Sequence, residues 1–194
     1  MAIDVGEFLS QPGFCVWNPT DLSAAFPHGG TDLGATETGV RLRANQGRVV
    51  LKAEESGSRI LDVVYTETEL WLLVTLHQWN TANVQRAFPG GLSAAGSSGA
   101  QVVQFPGTEL AGRRQSANAG VLVFSPLDLT NNRVLLARRA VPMLAEAAEI
   151  AWRLKMPTTL PLIFYLLNDE SIASTNARYN SRALAIGARA DLDV

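Results

Sequence analysis

From residue 40 the chain is written in period two. Val40, Leu42 and Ala44 alternate with Arg41 and Arg43, and Val49 and Leu51 alternate with Val50 and Lys52. Side chains on an extended strand point to opposite faces in turn, so this pattern predicts strands. Asn45-Gln46-Gly47 has turn chemistry and predicts a hairpin between the two runs. Glu54 to Ser58 predicts a second turn or an exposed loop. Ile60 to Tyr65 is β-branched and predicts another strand, punctuated by Glu67-Thr68-Glu69. Leu70, Leu72, Val74 and Leu76 then alternate with Trp71, Leu73, Thr75 and His77. Large side chains on both faces predict a strand that is central or covered on both sides.

The remaining elements follow from the same rules. Asn80 or Thr81 is placed to cap a short helix over Ala82–Phe88, which Pro89-Gly90-Gly91 stops. Residues 90–119 are rich in Gly, Ser and Ala and predict a long loop or an irregular hairpin. Val121–Phe124, Val134–Val141 and Leu160–Leu167 predict strands. Ala145–Ala148 has helical character, and the alternation from Ile150 to Met156 predicts a strand ending at Pro157. Ala183–Ala190 reads as a weak closing strand. The segment 1–33, with Pro12, Pro19, Pro27, Gly29 and Gly30, predicts an arm that packs on its own domain or reaches a neighbour. Residues 34–194 form the single domain. Strands do not alternate with helices, so the fold class is mainly β, with packed antiparallel sheets in a sandwich or barrel and one flanking helix.

Composition narrows the function. The chain has 194 residues, of which 47% are apolar, which is enough for one core. Its net charge of −2 argues against a nucleic-acid-binding surface, which needs clustered Lys and Arg to displace counterions from phosphate. Cys15 is the only cysteine, so no internal disulfide and no cysteine-based metal site is expected. Residues 1–10 lack the pattern of a signal peptide, and the longest apolar stretch, Leu160–Leu167, is too short to span a membrane.

The search for reactive groups returns near misses. His28 and His77 are the only histidines, and any Ser-His-Asp triad would have to use one of them. A lone strand or loop histidine is the ordinary reading of each. Two histidines and no cysteine pair make zinc improbable. Gly91-Leu92-Ser93-Ala94-Ala95-Gly96 misses the nucleophile elbow by one residue, and Gly91, Gly96 and Ser97 mimic a phosphate loop without its lysine. No catalytic residue, cofactor or metal is expected. Trp17, Trp71, Trp79 and Trp152 lie in or beside apolar segments, which favours packing over stacking on bases or sugars. Arg113-Arg114 and Arg138-Arg139 are the basic doublets, read as contacts to acidic turns of a neighbour or as plain surface charge.

The order of features resembles one family. Gly30-Thr31-Asp32-Leu33-Gly34-Ala35-Thr36-Glu37-Thr38-Gly39-Val40 looks like the opening turn of the major tail tube proteins of long-tailed bacteriophages, where a Gly/Pro-rich arm leads through "DLG-x-T-x-x-G-V" into the first hairpin. The strand Leu70–Trp79 followed directly by Asn80–Phe88, and the strand from Thr159-Leu160-Pro161 to Asn168-Asp169, are similar to that family's layout. Residues 90–119 depart from it.

The resemblance implies two packed antiparallel sheets and assembly into hexameric rings that stack as a tube. Ring interfaces are heterologous and close by rotation, while axial stacking stays open. It implies a virion protein assembled in the host cytoplasm, with no membrane, and the near-miss motifs and isolated histidines add the expectation that the chain is not an enzyme. Its partners would be other copies, the tape measure, terminator and baseplate proteins, and DNA that passes without specific binding. Phe14, Trp17, Asp32, Leu33, Glu54, Glu55, Arg113 and Arg114 are the candidate inter-subunit contacts. The other readings are a related ring protein (a tail terminator or baseplate hub), a carbohydrate-binding β-sandwich using its tryptophans, and, last, a hydrolase built on His77.

Overall fold

A computed structural model describes residues 13–53, 59–89, 92–95, 101–104, 114–126, 133–145, 158–168 and 184–188. The strands are β1 (Gly13–Trp17), β2 (Thr31–Asp32), β3 (Thr36–Ala53), β4 (Arg59–Leu76), β5 (Leu92–Ala95), β6 (Gln101–Gln104), β7 (Gly120–Pro126), β8 (Arg133–Leu144), β9 (Leu160–Leu166) and β10 (Ala185–Ala188), with one helix, α1 (Thr81–Ala87). Among the described residues the fold is mainly β and antiparallel, with one short helix.

Eight strands form one sheet. Its order is β2-β1-β7-β8-β9-β4-β3, and β10 pairs with β8 on the stretch that β9 leaves open. β5 and β6 make a separate two-stranded hairpin inside the region expected to be a loop or irregular hairpin.

The sheet has to curl. β2 and β3 lie at its opposite ends, six strand spacings apart, which on a flat sheet is about 29 Å. Yet Asp32 ends β2 and Thr36 begins β3, and that length of chain reaches about 14 Å at most. The sheet therefore folds round until its two ends approach, as in an open barrel. Its halves then face one another across one core, and no second large sheet is needed to cover them.

That core holds Cys15 and Trp17 from β1, Leu122 and Phe124 from β7, Leu135, Ala137 and Ala140 from β8, Leu160 to Leu166 at alternate positions of β9, and Leu72, Val74 and Leu76 from β4. Ala87 of α1 and Leu33 close it. On the other face, Leu22 packs on Val123, Val134 and Leu136. β8 serves both neighbours because of a bulge. Leu122 pairs with Ala137 but Gly120 pairs with Ala140, so Arg138 and Arg139 together oppose one residue of β7. The extra residue resets the alternation, keeping Ala137 and Ala140 on the core side.

Several expectations need correction. Asn45-Gln46-Gly47 is not a turn. It lies inside β3, paired with Glu69, Thr68 and Glu67, and a register shift follows Gly47. Glu67-Thr68-Glu69 does not divide the next strand either, since β4 runs unbroken from Arg59 to Leu76. Cross-strand pairing along the whole hairpin outweighs the local turn preference of these residues. Of the expected arm, Gly13–Leu33 is woven into the sheet: β1 lies between β2 and β7. The helix stands where its cap placed it, with Asn80 Oδ1 accepting from the Asn83 N–H at 2.8 Å. The expected elements over residues 146–156, the tail from 171 to 179, and residues 1–12 of the arm lie outside the described residues.

Candidate functional site: an unpartnered ribbon and a cationic cavity

β4 meets β9 only over Trp71–Leu76, while its pairing with β3 continues from Ala44↔Leu70 out to Ala53↔Arg59. The outer part of this hairpin is therefore a two-stranded ribbon about 30 Å long that extends past the sheet's other described strands. β3 is the last strand in the order, so its outer edge has no partner strand along its length among the described residues. The outer part of β4 likewise pairs only with β3 among the described residues.

The ribbon carries apolar side chains on both faces. The pairs Val50↔Val63, Arg48↔Tyr65 and Lys52↔Ile60 alternate with Val49↔Val64 and Leu51↔Asp62. Tyr65 is 64% exposed, Ile60 62% and Val49 49%, and Val50, Leu51, Val63 and Val64 are exposed as well. A free two-stranded hairpin is at best marginally stable in water, and one with two apolar faces presents both to solvent.

Charge is divided between the two strands. β3 carries Arg41, Arg43, Arg48 and Lys52 with Glu37 near its start, whereas β4 carries Asp62, Glu67 and Glu69 with Arg59 as its first residue. Asn45 Nδ2 donates to Glu69 Oε2 at 3.4 Å, and Asp62 Oδ1 accepts from the Val63 N–H at 2.7 Å. Lys and Arg along an edge discourage indiscriminate strand addition. On the ribbon this leaves Arg48 and Lys52 of β3 against Asp62, Glu67 and Glu69 of β4, a basic flank and a mainly acidic one.

A second feature lies at the helix. A cavity of about 310 Å³ opens between α1, β1, β8 and the 3-10 turn Gln115–Asn118, lined by Trp17, Gln85, Arg86, Pro89, Asn118 and Pro142. The Arg86 guanidinium carbon lies 5.6 Å from the centre of the Trp17 ring. Asn83 fixes it there. The buried Asn83 gives its Nδ2 hydrogens to Leu33 O at 2.9 Å and Gln78 O at 3.3 Å, which leaves Oδ1 to accept from Arg86 Nη1 at 3.0 Å. Burial pushes the Arg86 guanidinium below its ordinary pKa. Among the described residues no carboxylate comes within ion-pair distance of it.

The residues expected at subunit contacts are placed as follows. Trp17 and Leu33 are buried in this chain's own core. Asp32 turns inward, its Oδ1 accepting from the Gly34 N–H at 2.8 Å. Phe14 is half-buried with its ring 4.5 Å from that of Phe26, and Arg114 is exposed beside the 3-10 turn. Glu54, Glu55 and Arg113 lie outside the described residues. His28 is buried, and its Nδ1 must donate, because its neighbour at 2.8 Å is the Ala24 carbonyl. His77 is exposed just past β4, its backbone N–H bonded to Ala35 O. Among the described residues no cluster of His, Cys, Asp and Glu could hold a metal, and no helix is long and apolar enough to cross a membrane.

Sequence reasoning missed the ribbon as a site. Its signal was present in Val49-Val50-Leu51 and Val63-Val64-Tyr65, which put apolar groups on both faces of paired strands. The cavity had no signal, because its lining comes from four separate segments. Comparison with known proteins returned no matching family model and no significantly similar curated protein.

Proposed function

We propose that this chain is a non-enzymatic structural protein that assembles with copies of itself, and that the assembly is a ring stacked into a tube of the kind its sequence resembles in long-tailed bacteriophages. The observation that carries the reading is the ribbon of β3 and β4. A sheet edge with free N–H and C=O groups and two apolar faces is a template for another chain. Burying its seven exposed apolar side chains is worth on the order of 5–10 kcal/mol gross, which is comparable to the rigid-body cost of association. A lone monomer leaves that unused.

The basic and acidic flanks favour a head-to-tail arrangement. Like flanks repel in a two-fold contact, whereas a head-to-tail contact brings the acidic strand of one copy to basic groups of the next. Head-to-tail contacts generate rings when the rotation closes. The ring number of six, placement in a virion tail, the other tail proteins as partners and passage of DNA follow from the resemblance alone. Of the tryptophans, Trp17 is buried, Trp79 donates to Thr158 O at 2.8 Å, and Trp71 rests 6.3 Å from Tyr165. These placements favour packing over a sugar-stacking platform.

Sedimentation velocity and negative-stain microscopy of the purified chain test the reading. Rings or tubes are expected, and Val49→Lys with Tyr65→Lys should leave folded monomers. A wild-type chain that remains monomeric at high concentration overturns it.

A further inference from the structure

The cavity beside α1 is polar where a ligand would need it to be. Its cation is held rather than free: Arg86 is stacked on Trp17 and anchored by Asn83 Oδ1. A guanidinium has five N–H donors in a planar fork that matches a carboxylate. Only one is used by an acceptor among the described residues. Gln85 and Asn118 add amide groups at the rim, and Pro89 and Pro142 add apolar wall. The volume of about 310 Å³ suits one side chain rather than a large cofactor.

We propose that the Arg86 cavity seats a carboxylate, and that the carboxylate is an acidic side chain from the ribbon of a second copy of this chain. The inference rests on the self-assembly reading and adds to it a specific polar contact. Charge complementarity names the occupant. Asp62, Glu67 and Glu69 are exposed on a ribbon that has no third strand beside it among the described residues. Among the described residues, Asp62 meets only a backbone N–H and Glu69 only an amide. A carboxylate entering the cavity would meet a charge already partly desolvated, where an ion pair is stronger than on an open surface.

Burial of Arg86 against Trp17 has a purely structural alternative, and a mutant cycle separates the two. The measured quantity is the protein concentration at half-assembly, by sedimentation velocity. Arg86→Gln is expected to raise it about tenfold or more, the scale of one charge-assisted contact. The triple change Asp62→Asn, Glu67→Gln, Glu69→Gln should raise it similarly, and the combination should raise it no further than either alone. Arg86→Lys, which keeps the charge but loses the fork, should fall between. Glutarate at matched ionic strength should raise the wild-type value and leave that of Arg86→Gln unmoved.

If Arg86→Gln loses thermal stability yet assembles at the wild-type concentration, the stack is only structural and the proposal is overturned. Fold-changes that multiply in the combined variant also overturn it. Should Arg86→Gln not fold, the same cycle with Arg86→Lys and the exposed ribbon changes gives the answer. In each of these cases wild-type assembly persists, whereas a wild-type chain that never assembles overturns the self-assembly reading first.

Discussion

Trp17 on β1 and Phe164 on β9 meet with ring centroids 5.8 Å apart, although β7 and β8 lie between their strands. On a flat sheet three spacings would separate them by about 14 Å. Their contact records the curl that brings the two ends of the sheet together. Phe164 is fully buried, and its removal leaves a cavity between the two halves of the sheet. Phe164→Ala should cost about 3–5 kcal/mol, read as a lower urea midpoint with an unchanged slope.

Asn83 ties three parts of the molecule: the Leu33 carbonyl, the Gln78 carbonyl before the helix, and Arg86. Asn83→Ala leaves a buried carbonyl without its donor and should cost about 1–3 kcal/mol. Loss of the anchor should also release the Arg86 Nη1 hydrogens, seen in NMR spectra as faster guanidinium rotation and exchange, a change that a packing defect elsewhere would not cause.

Gly34 sits at φ +91° with the Gln78 side chain where a Cβ would project. It belongs to the short crossing from β2 to β3. Gly34→Ala should lower stability by about 1–2 kcal/mol from the backbone alone, with more from displacement of Gln78. Thermal denaturation of the two proteins measures it.

Cys15 is buried, and burial, with the Asp32 carboxylate as the lesser cause, pushes its thiol up to about 12 from an ordinary 9.0. The folded state therefore keeps a proton that the unfolded chain releases above its own pKa. Stability from this group is intact below about pH 9 and is lost as pH rises toward 12. The expected slope between those values is about −1.4 kcal/mol per pH unit, and Cys15→Ala should abolish it. In the native state the thiol should also resist iodoacetamide at pH 8 until denaturant is added.

On the ribbon, Val49→Lys and Tyr65→Lys alter exposed side chains that touch no core. Each should change monomer stability by no more than about 0.5 kcal/mol. Together they should abolish assembly, as sedimentation at matched concentrations would reveal. Loss of monomer folding in these variants would show that the ribbon supports the chain's own sheet instead.

Local pattern was enough to place most strands and the helix. Period-two runs marked the strands of β3 and the inner part of β4, apolar runs marked β7, β8 and β9, and Asn80 or Thr81 marked the start of α1, because alternation and capping depend on neighbours in the chain. The same local logic misplaced a turn at Asn45-Gln46-Gly47. Nothing in those three residues records that Glu69, Thr68 and Glu67 will lie opposite them. The apolar runs of the ribbon were legible as strands but not as exposed ones, since burial depends on which strands stop short. The pairing of β9 with β4 ends at Trp71, and only the fold shows it.

By itself, the sequence determined that this protein is β-rich and antiparallel, because side-chain alternation is a property of the extended chain. It also limited the reactive groups to two isolated histidines and one cysteine. Tertiary structure alone decided that β1 enters the sheet, that the sheet curls until Asp32 and Thr36 can be joined by a short link, and that Arg86 is stacked on Trp17. Those relationships join residues tens of positions apart. They are fixed by strand order and curvature, which arise from the summed pairing and packing of the whole chain rather than from any local run of residues.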